Sequence, residues 1–151
     1  MKKAFSLAGM LIAVAILGIL AALAMPTFKG YIAEAREAAA KDNLRILRNA
    51  IELYAARHEG VPPGYGNNDP SGSPGPVCFY SQLVDVGNYL SKRPKNLFSN
   101  KHQIKAIPNN QDFPTEPVDI NLYGWIYKAA TKEIRLNWPG TDSAGVAYFD
   151  Y

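Results

Sequence analysis

The sequence predicts an α+β fold. One long N-terminal α-helix, apolar in its first half and amphipathic in its second and kinked near Pro26, packs against a small antiparallel β-sheet head. Three observations carry this reading. Residues 5–25 are 21 positions without a single charge. Ala40, Leu44, Leu47, Ile51, Tyr54 and His58 follow at spacings of 4, 3, 4, 3 and 4, which is one face of a helix. Residues 123–128 and 133–138 alternate on either side of Ala129-Ala130-Thr131-Lys132 and are rich in aromatic and β-branched side chains, the pattern of a hairpin. The 151-residue length suits one domain. Beyond Pro26 the chain continues for 125 residues, enough for one small core.

The first element is the apolar helix, 5–26. At about 1.5 Å per residue its 21 uncharged positions rise roughly 31 Å, the hydrocarbon thickness of a bilayer. Lys2 and Lys3 precede it and should stay cytoplasmic, leaving the bulk of the chain outside. A cleaved secretory signal is the competing reading, and Ala21-Ala22-Leu23-Ala24 offers the small residues it needs. Its apolar region, however, would be only about 7–15 residues long. Pro26 removes one helical hydrogen bond and crowds the preceding turn, so a kink is expected there.

Residues 27–59 continue as an amphipathic helix. Arg36, Glu37, Lys41, Arg45, Arg48 and Glu52 populate its polar faces, with Glu37 and Lys41 in the favourable i,i+4 order. Gly60 is the expected C′ residue, and Pro62-Pro63 forbids continuation. The head then spans 60–151. Residues 60–76 hold five Gly and five Pro and read as a loop without helix or strand. Residues 79–90 read as a short helix, 103–107 as a short strand, 123–138 as the hairpin, and 139–151 as coil.

Composition narrows the chemistry. The net charge is +3, and without Lys2 and Lys3 the balance is 14 minus 13, or +1. No basic stripe interleaved with aromatics occurs, so no nucleic-acid partner is expected. The single Cys78 excludes an intramolecular disulfide and a cysteine metal cluster. It reads as a small, partly buried side chain beside Phe79 and Tyr80. His58 and His102 are the only histidines. No Gly-x-Ser-x-Gly, phosphate-binding loop or His-Glu-x-x-His motif is present, so no catalytic residue is assigned and no enzyme is expected. Tyr123, Trp125, Tyr127, Trp138, Tyr148, Phe149 and Tyr151 crowd the last third; alternate ones should pack on the helix and the others remain partly exposed.

Lys2-Lys3-Ala4-Phe5-Ser6-Leu7, the apolar run 10–24 and Met25-Pro26 together resemble the N-terminal segment of type IV pilins and type II secretion pseudopilins. Tyr89-Leu90, Arg93-Pro94-Lys95-Asn96, Gly124-Trp125-Ile126-Tyr127 and 131–135 resemble, more loosely, the heads of major pseudopilins. The resemblance implies a leader peptide of residues 1–4, cut between Ala4 and Phe5 by a prepilin peptidase, with N-methylation of Phe5. It implies a single-pass bacterial inner-membrane protein with a cytoplasmic N-terminus. An assembly platform would draw it from the lipid bilayer into a periplasmic or cell-surface filament of its own copies, as in a pilus, a secretion pseudopilus or a DNA-uptake filament. Ala13, Ala15, Gly18, Ala21 and Ala22 are small enough for close helix approach in such a core. The alternative is a single-pass anchor carrying a small extracytoplasmic interaction module that does not polymerise.

The chain departs from the family pattern at two positions. Ala4 stands where the family carries Gly, and Gly9 where it carries the Glu thought to pair with a neighbour's N-terminal amine. Gly9 cannot make that pair. The chain is then a tip-type subunit, a sequence with weakened processing and assembly, or a subunit whose register is set by packing alone. Asp142, Ser143 and Asp150 are similar to the calcium loop of major pseudopilins, although their spacing differs. Calcium is the only cofactor the resemblance suggests, and carboxylates are suitable hard ligands for it. Cleavage before Phe5 is expected to be slower than in an Ala4→Gly variant when both are digested by the peptidase; equal rates overturn this.

Overall fold

The computed structural model describes residues 7–151, with the side chains of all of these except 24–29. The leader and the cleavage position at Ala4 and Phe5 lie outside the described residues; at Pro26, where a kink is expected, the backbone is assigned to the helix and the side chain is not described. The fold is α+β, with a long N-terminal helix and a small sheet. Its elements are α1 (Leu7–Arg57), α2 (Pro76–Tyr80), β1 (Ile104–Ala106), β2 (Trp125–Lys128) and β3 (Glu133–Leu136). The chain falls into two units, Met1–Ala35 and Arg36–Tyr151.

In the second unit the helical face read from the sequence is the buried one. Ala40, Leu44, Leu47, Ile51 and Tyr54 are all at most 3% exposed, joined by Ala50 and Ala55. His58 stands half-buried at the end of this row, stacked on Tyr54 at 3.9 Å. The helix stops one residue earlier than Gly60 suggests. Glu59 takes the left-handed conformation at φ +54°, and the Gly60 N–H reaches back to the Ala55 carbonyl at 2.8 Å. That six-to-one bond is the mark of a Schellman end, with Glu59 in the position expected of glycine.

The sheet has the order β1-β2-β3. β2 and β3 form the expected hairpin, with Trp125 opposite Leu136 and Tyr127 opposite Ile134. Lys132, at φ +58°, closes the turn. β1, however, runs parallel to β2, with Ile104 beside Trp125 and Ala106 beside Tyr127. The sheet is therefore mixed and not purely antiparallel. A parallel pair needs a crossover of a dozen residues or more. The irregular segment 107–124 supplies it, held by Asn137. The Asn137 amide donates to the Val118 and Tyr123 carbonyls at 2.7 and 2.8 Å and accepts from the Val118 N–H at 3.0 Å.

Both faces of the sheet are covered. Trp125, Tyr127, Ile134 and Leu136 share one cluster with the buried face of α1. Ile126 points the other way and packs with Ile107 and Phe149. The buried polar tips are satisfied: the Trp125 indole N–H donates to the Pro94 carbonyl at 3.1 Å, and the Tyr127 hydroxyl to the Pro63 carbonyl at 2.9 Å. Gly124 is required where the crossover meets β2, because a Cβ there would stand 2.3 Å from the Lys101 carbonyl oxygen.

Two other segments differ from expectation. The 60–76 loop contains a 3₁₀ turn at Gly66–Asn68 and is pinned rather than free. Tyr65 is buried, and Gln82 bridges the Gly64 N–H and the Tyr65 carbonyl at 2.7 and 2.8 Å. The segment 79–90 is not one helix. α2 gives way to a single wider turn at Ser81–Asp85, and the chain then reverses so that the Tyr89 and Leu90 N–H groups both donate to the Leu83 carbonyl at 2.9 Å. Cys78 is half-buried beside Phe79 and Tyr80.

Truncation of the buried face should be costly and truncation elsewhere on the same helix should not. Leu47→Ala is expected to destabilise by about 2–5 kcal/mol. Leu53→Ala, at a position 45% exposed, should cost under about 1 kcal/mol. Thermal denaturation of the full chain in detergent, followed by circular dichroism, checks the contrast.

Candidate functional site

Two regions stand apart from an ordinary head. The first is the apolar part of α1. Every large apolar side chain from Leu7 to Leu23 is more than half exposed, from 53% at Ile16 to 77% at Leu7. These residues lie on all sides of the helix, so no single face could hide them against one partner. Gly9 and Gly18 meet nothing within 4 Å if a Cβ is added. Among the described residues no contact therefore requires glycine at either position, although glycine inside a helix costs roughly 0.5–1 kcal/mol relative to alanine. Among the described residues no helix is long and apolar enough to cross a membrane. The stretch 7–23, whose side chains are described, has 17 residues and rises about 25 Å, against roughly 30 Å of hydrocarbon.

The second is the C-terminal loop. Thr141 and Ala147 form a bridge, the Asp142 N–H donates to the Val146 carbonyl at 2.8 Å, and the Gly145 N–H to the Asp142 carbonyl at 3.0 Å. Asp142 organises this turn from inside. Its Oδ1 accepts from the backbone N–H groups of Ala144 and Val146, both at 2.8 Å. Its Oδ2 accepts from the Tyr151 hydroxyl at 2.7 Å and from the Lys41 ammonium of α1 at 3.0 Å. Lys41 also bonds Glu37 at 3.1 Å, the pair read from the sequence, and stands 4.3 Å over the Tyr151 ring. Arg48 donates to the Ile134 carbonyl at 3.2 Å and to the Tyr151 carbonyl.

The electrostatics follow from these contacts. The Tyr151 hydroxyl, then the Val146 N–H, the Lys41 ammonium and the Ala144 N–H hold the Asp142 carboxyl far below the usual carboxylate range. Tyr151 and Asp142 in turn raise Lys41. Burial, with the Asp142 hydrogen bond second, pushes Tyr151 up to about 12.

Of the three residues expected as calcium ligands, only Asp142 is buried. Ser143 is exposed, and the Asp150 carboxylate lies 3.9 Å from Arg135. Among the described residues no three His, Cys, Asp or Glu side chains gather where they could hold a metal ion. The sequence reading missed Lys41 and Tyr151 as partners of Asp142. In the sequence Glu37 already accounts for Lys41, and Tyr151 is one aromatic among several.

A half-open cavity of about 360 Å³ lies between α2 and β1, lined by Tyr80, His102, Ile104 and Tyr123. Its charged residues face each other: Arg93 pairs with Asp85 at 3.1 Å and covers the Tyr80 ring at 5.0 Å.

No protein-family model matches the chain. No solved structure matches it either. Among curated proteins, the "Type II secretion system core protein G" of Aeromonas hydrophila is 25% identical to it over 142 residues. That match covers 91% of this chain and 92% of the relative, head as well as helix.

The Asp142 geometry sets a pH dependence. A carboxyl held below its unfolded value contributes stability above the ordinary carboxylate range and loses it as pH falls through the lowered value. Asp142→Asn is expected to lower the melting temperature at neutral pH by several degrees. It should also flatten the loss of stability in acid, as a pH series of melting curves would show.

Proposed function

We propose that this chain is a structural subunit of a filament of the type II secretion pseudopilus kind. In this reading it is inserted in the bacterial inner membrane with its N-terminus in the cytoplasm. A prepilin peptidase cleaves it between Ala4 and Phe5, and it then assembles with other copies of itself at an inner-membrane platform. The observation that carries the proposal is the exposure of apolar side chains on every side of α1 between Leu7 and Leu23. Fully burying each such side chain is worth about 1.5–3 kcal/mol, so the segment is unfavourable in water and needs cover all round. Lipid gives that cover before assembly, and neighbouring helices give it afterwards.

Two further facts support this reading. The curated relative, whose printed name places it in a type II secretion system, matches over nearly its whole length. The open surroundings of Gly9 and Gly18 suit the close approach of a second helix. With glycine at position 9, the register between subunits rests on packing, because that position brings no carboxylate.

The intact mass of the protein extracted from membranes of a strain with an active prepilin peptidase tests the proposal. Loss of Met1–Ala4 plus one added methyl group is the expected result. A mass beginning near Ala24 would mean ordinary secretion and would sink the filament reading. So would a full-length mass that persists after Ala4→Gly and Gly9→Glu are both introduced.

A further inference from the structure

We propose that Lys41 is the structural cation of the C-terminal loop, and that the loop closes onto α1 through this ammonium and not through a bound metal ion. The resemblance implied calcium at Asp142, Ser143 and Asp150, and the arrangement of these side chains does not fit it. An ionised carboxylate offers about four acceptor positions. Those of Asp142 are filled by two backbone N–H groups, a phenol and an ammonium. A calcium ion takes about 6–8 oxygen ligands, usually with more than one carboxylate. The second acidic group beside this site is Glu37, and it too points at Lys41. Asp150 sits with Arg135.

The Lys41 ammonium has the surroundings a bound cation would have. It touches one carboxylate from its own helix, one from the loop, and the face of an aromatic ring. The Asp142 side chain is 4% exposed and that of Lys41 44% exposed. The charge therefore arrives on a stem from the helix surface and ends at a buried acceptor, as long basic side chains do when they snorkel in reverse. An ion delivered this way is always present at full occupancy. The order of the loop then depends on α1 being folded and not on the composition of the medium. This inference does not rest on the filament reading, since every residue in it belongs to the unit Arg36–Tyr151.

The test uses the full chain in detergent. The melting temperature of the unaltered protein should be the same in excess calcium and in excess chelator. Lys41→Met, which keeps most of the stem, should lower the melting temperature by several degrees and speed hydrogen exchange at the Ala144 and Val146 amides. Combining Lys41→Met with Asp142→Asn should lower it by less than the sum of the two single shifts, because the two residues act on one another. A melting temperature that rises with calcium and falls with chelator overturns the proposal without need of any variant. Unchanged exchange at Ala144 and Val146 in Lys41→Met overturns it as well.

Discussion

Leu44, Leu47, Ile51 and Tyr54 of α1 meet Trp125, Tyr127, Ile134 and Leu136 of the hairpin in one buried cluster. Neither side is stable alone. A two-stranded hairpin is marginal in water, and a helix draws most of its stability from packing an apolar face. Each element thus supplies what the other lacks, and the remaining chain is arranged around their contact. Tyr65 and Phe79 bring the 60–76 loop and α2 to the edge of the same cluster. The polar tips of Trp125 and Tyr127 then fix the backbone at Pro94 and Pro63, so loops far apart in sequence are tied to one strand.

Single polar side chains hold the second layer. Asn96 is fully buried; it donates to the Gly124 carbonyl at 3.0 Å and accepts from the Phe98 N–H at 2.9 Å. Asn137 does the same work for the crossover, and Asp142 for the last loop. Asn96 and Asp142 each reinforce an isolated backbone bridge, and Asn137 ties a segment that has no strand pairing of its own. A buried amide or carboxylate left without partners costs about 1–3 kcal/mol or more, so these side chains specify one path for the loops. The region is accordingly held by few residues with many bonds.

What could be read from the sequence follows the range of the interaction. The buried face of α1 repeats every three or four residues, and the hairpin arms alternate over four, so local spacing reveals both. The parallel pairing of β1 could not be read this way, because three residues show no period and direction is set by the distant 107–124 crossover. The wider turn at Ser81–Asp85 was hidden by apolar residues that suit a helix as well. The contact of Lys41 with Asp142 joins positions 101 residues apart and leaves no local pattern. Glu37, four residues away from Lys41, gave a sufficient explanation for the lysine and concealed the other. The uncharged run 5–25 was the clearest signal of all, since reading it needs neither a period nor a distant partner.

The two tryptophans sit in opposite surroundings. The Trp125 indole is fully buried beneath α1 with its N–H bonded to a backbone carbonyl. Trp138 is half-buried and lies nearly parallel to the Phe98 ring at 5.8 Å, next to the C-terminal segment. The protein therefore carries two built-in optical probes of different depth. Emission from one reports whether helix and hairpin are joined, and emission from the other reports whether the terminal segment is seated on them. Because both rings pack on one cluster, a spectrum in which the two signals part company would show the terminal segment loosening ahead of the core.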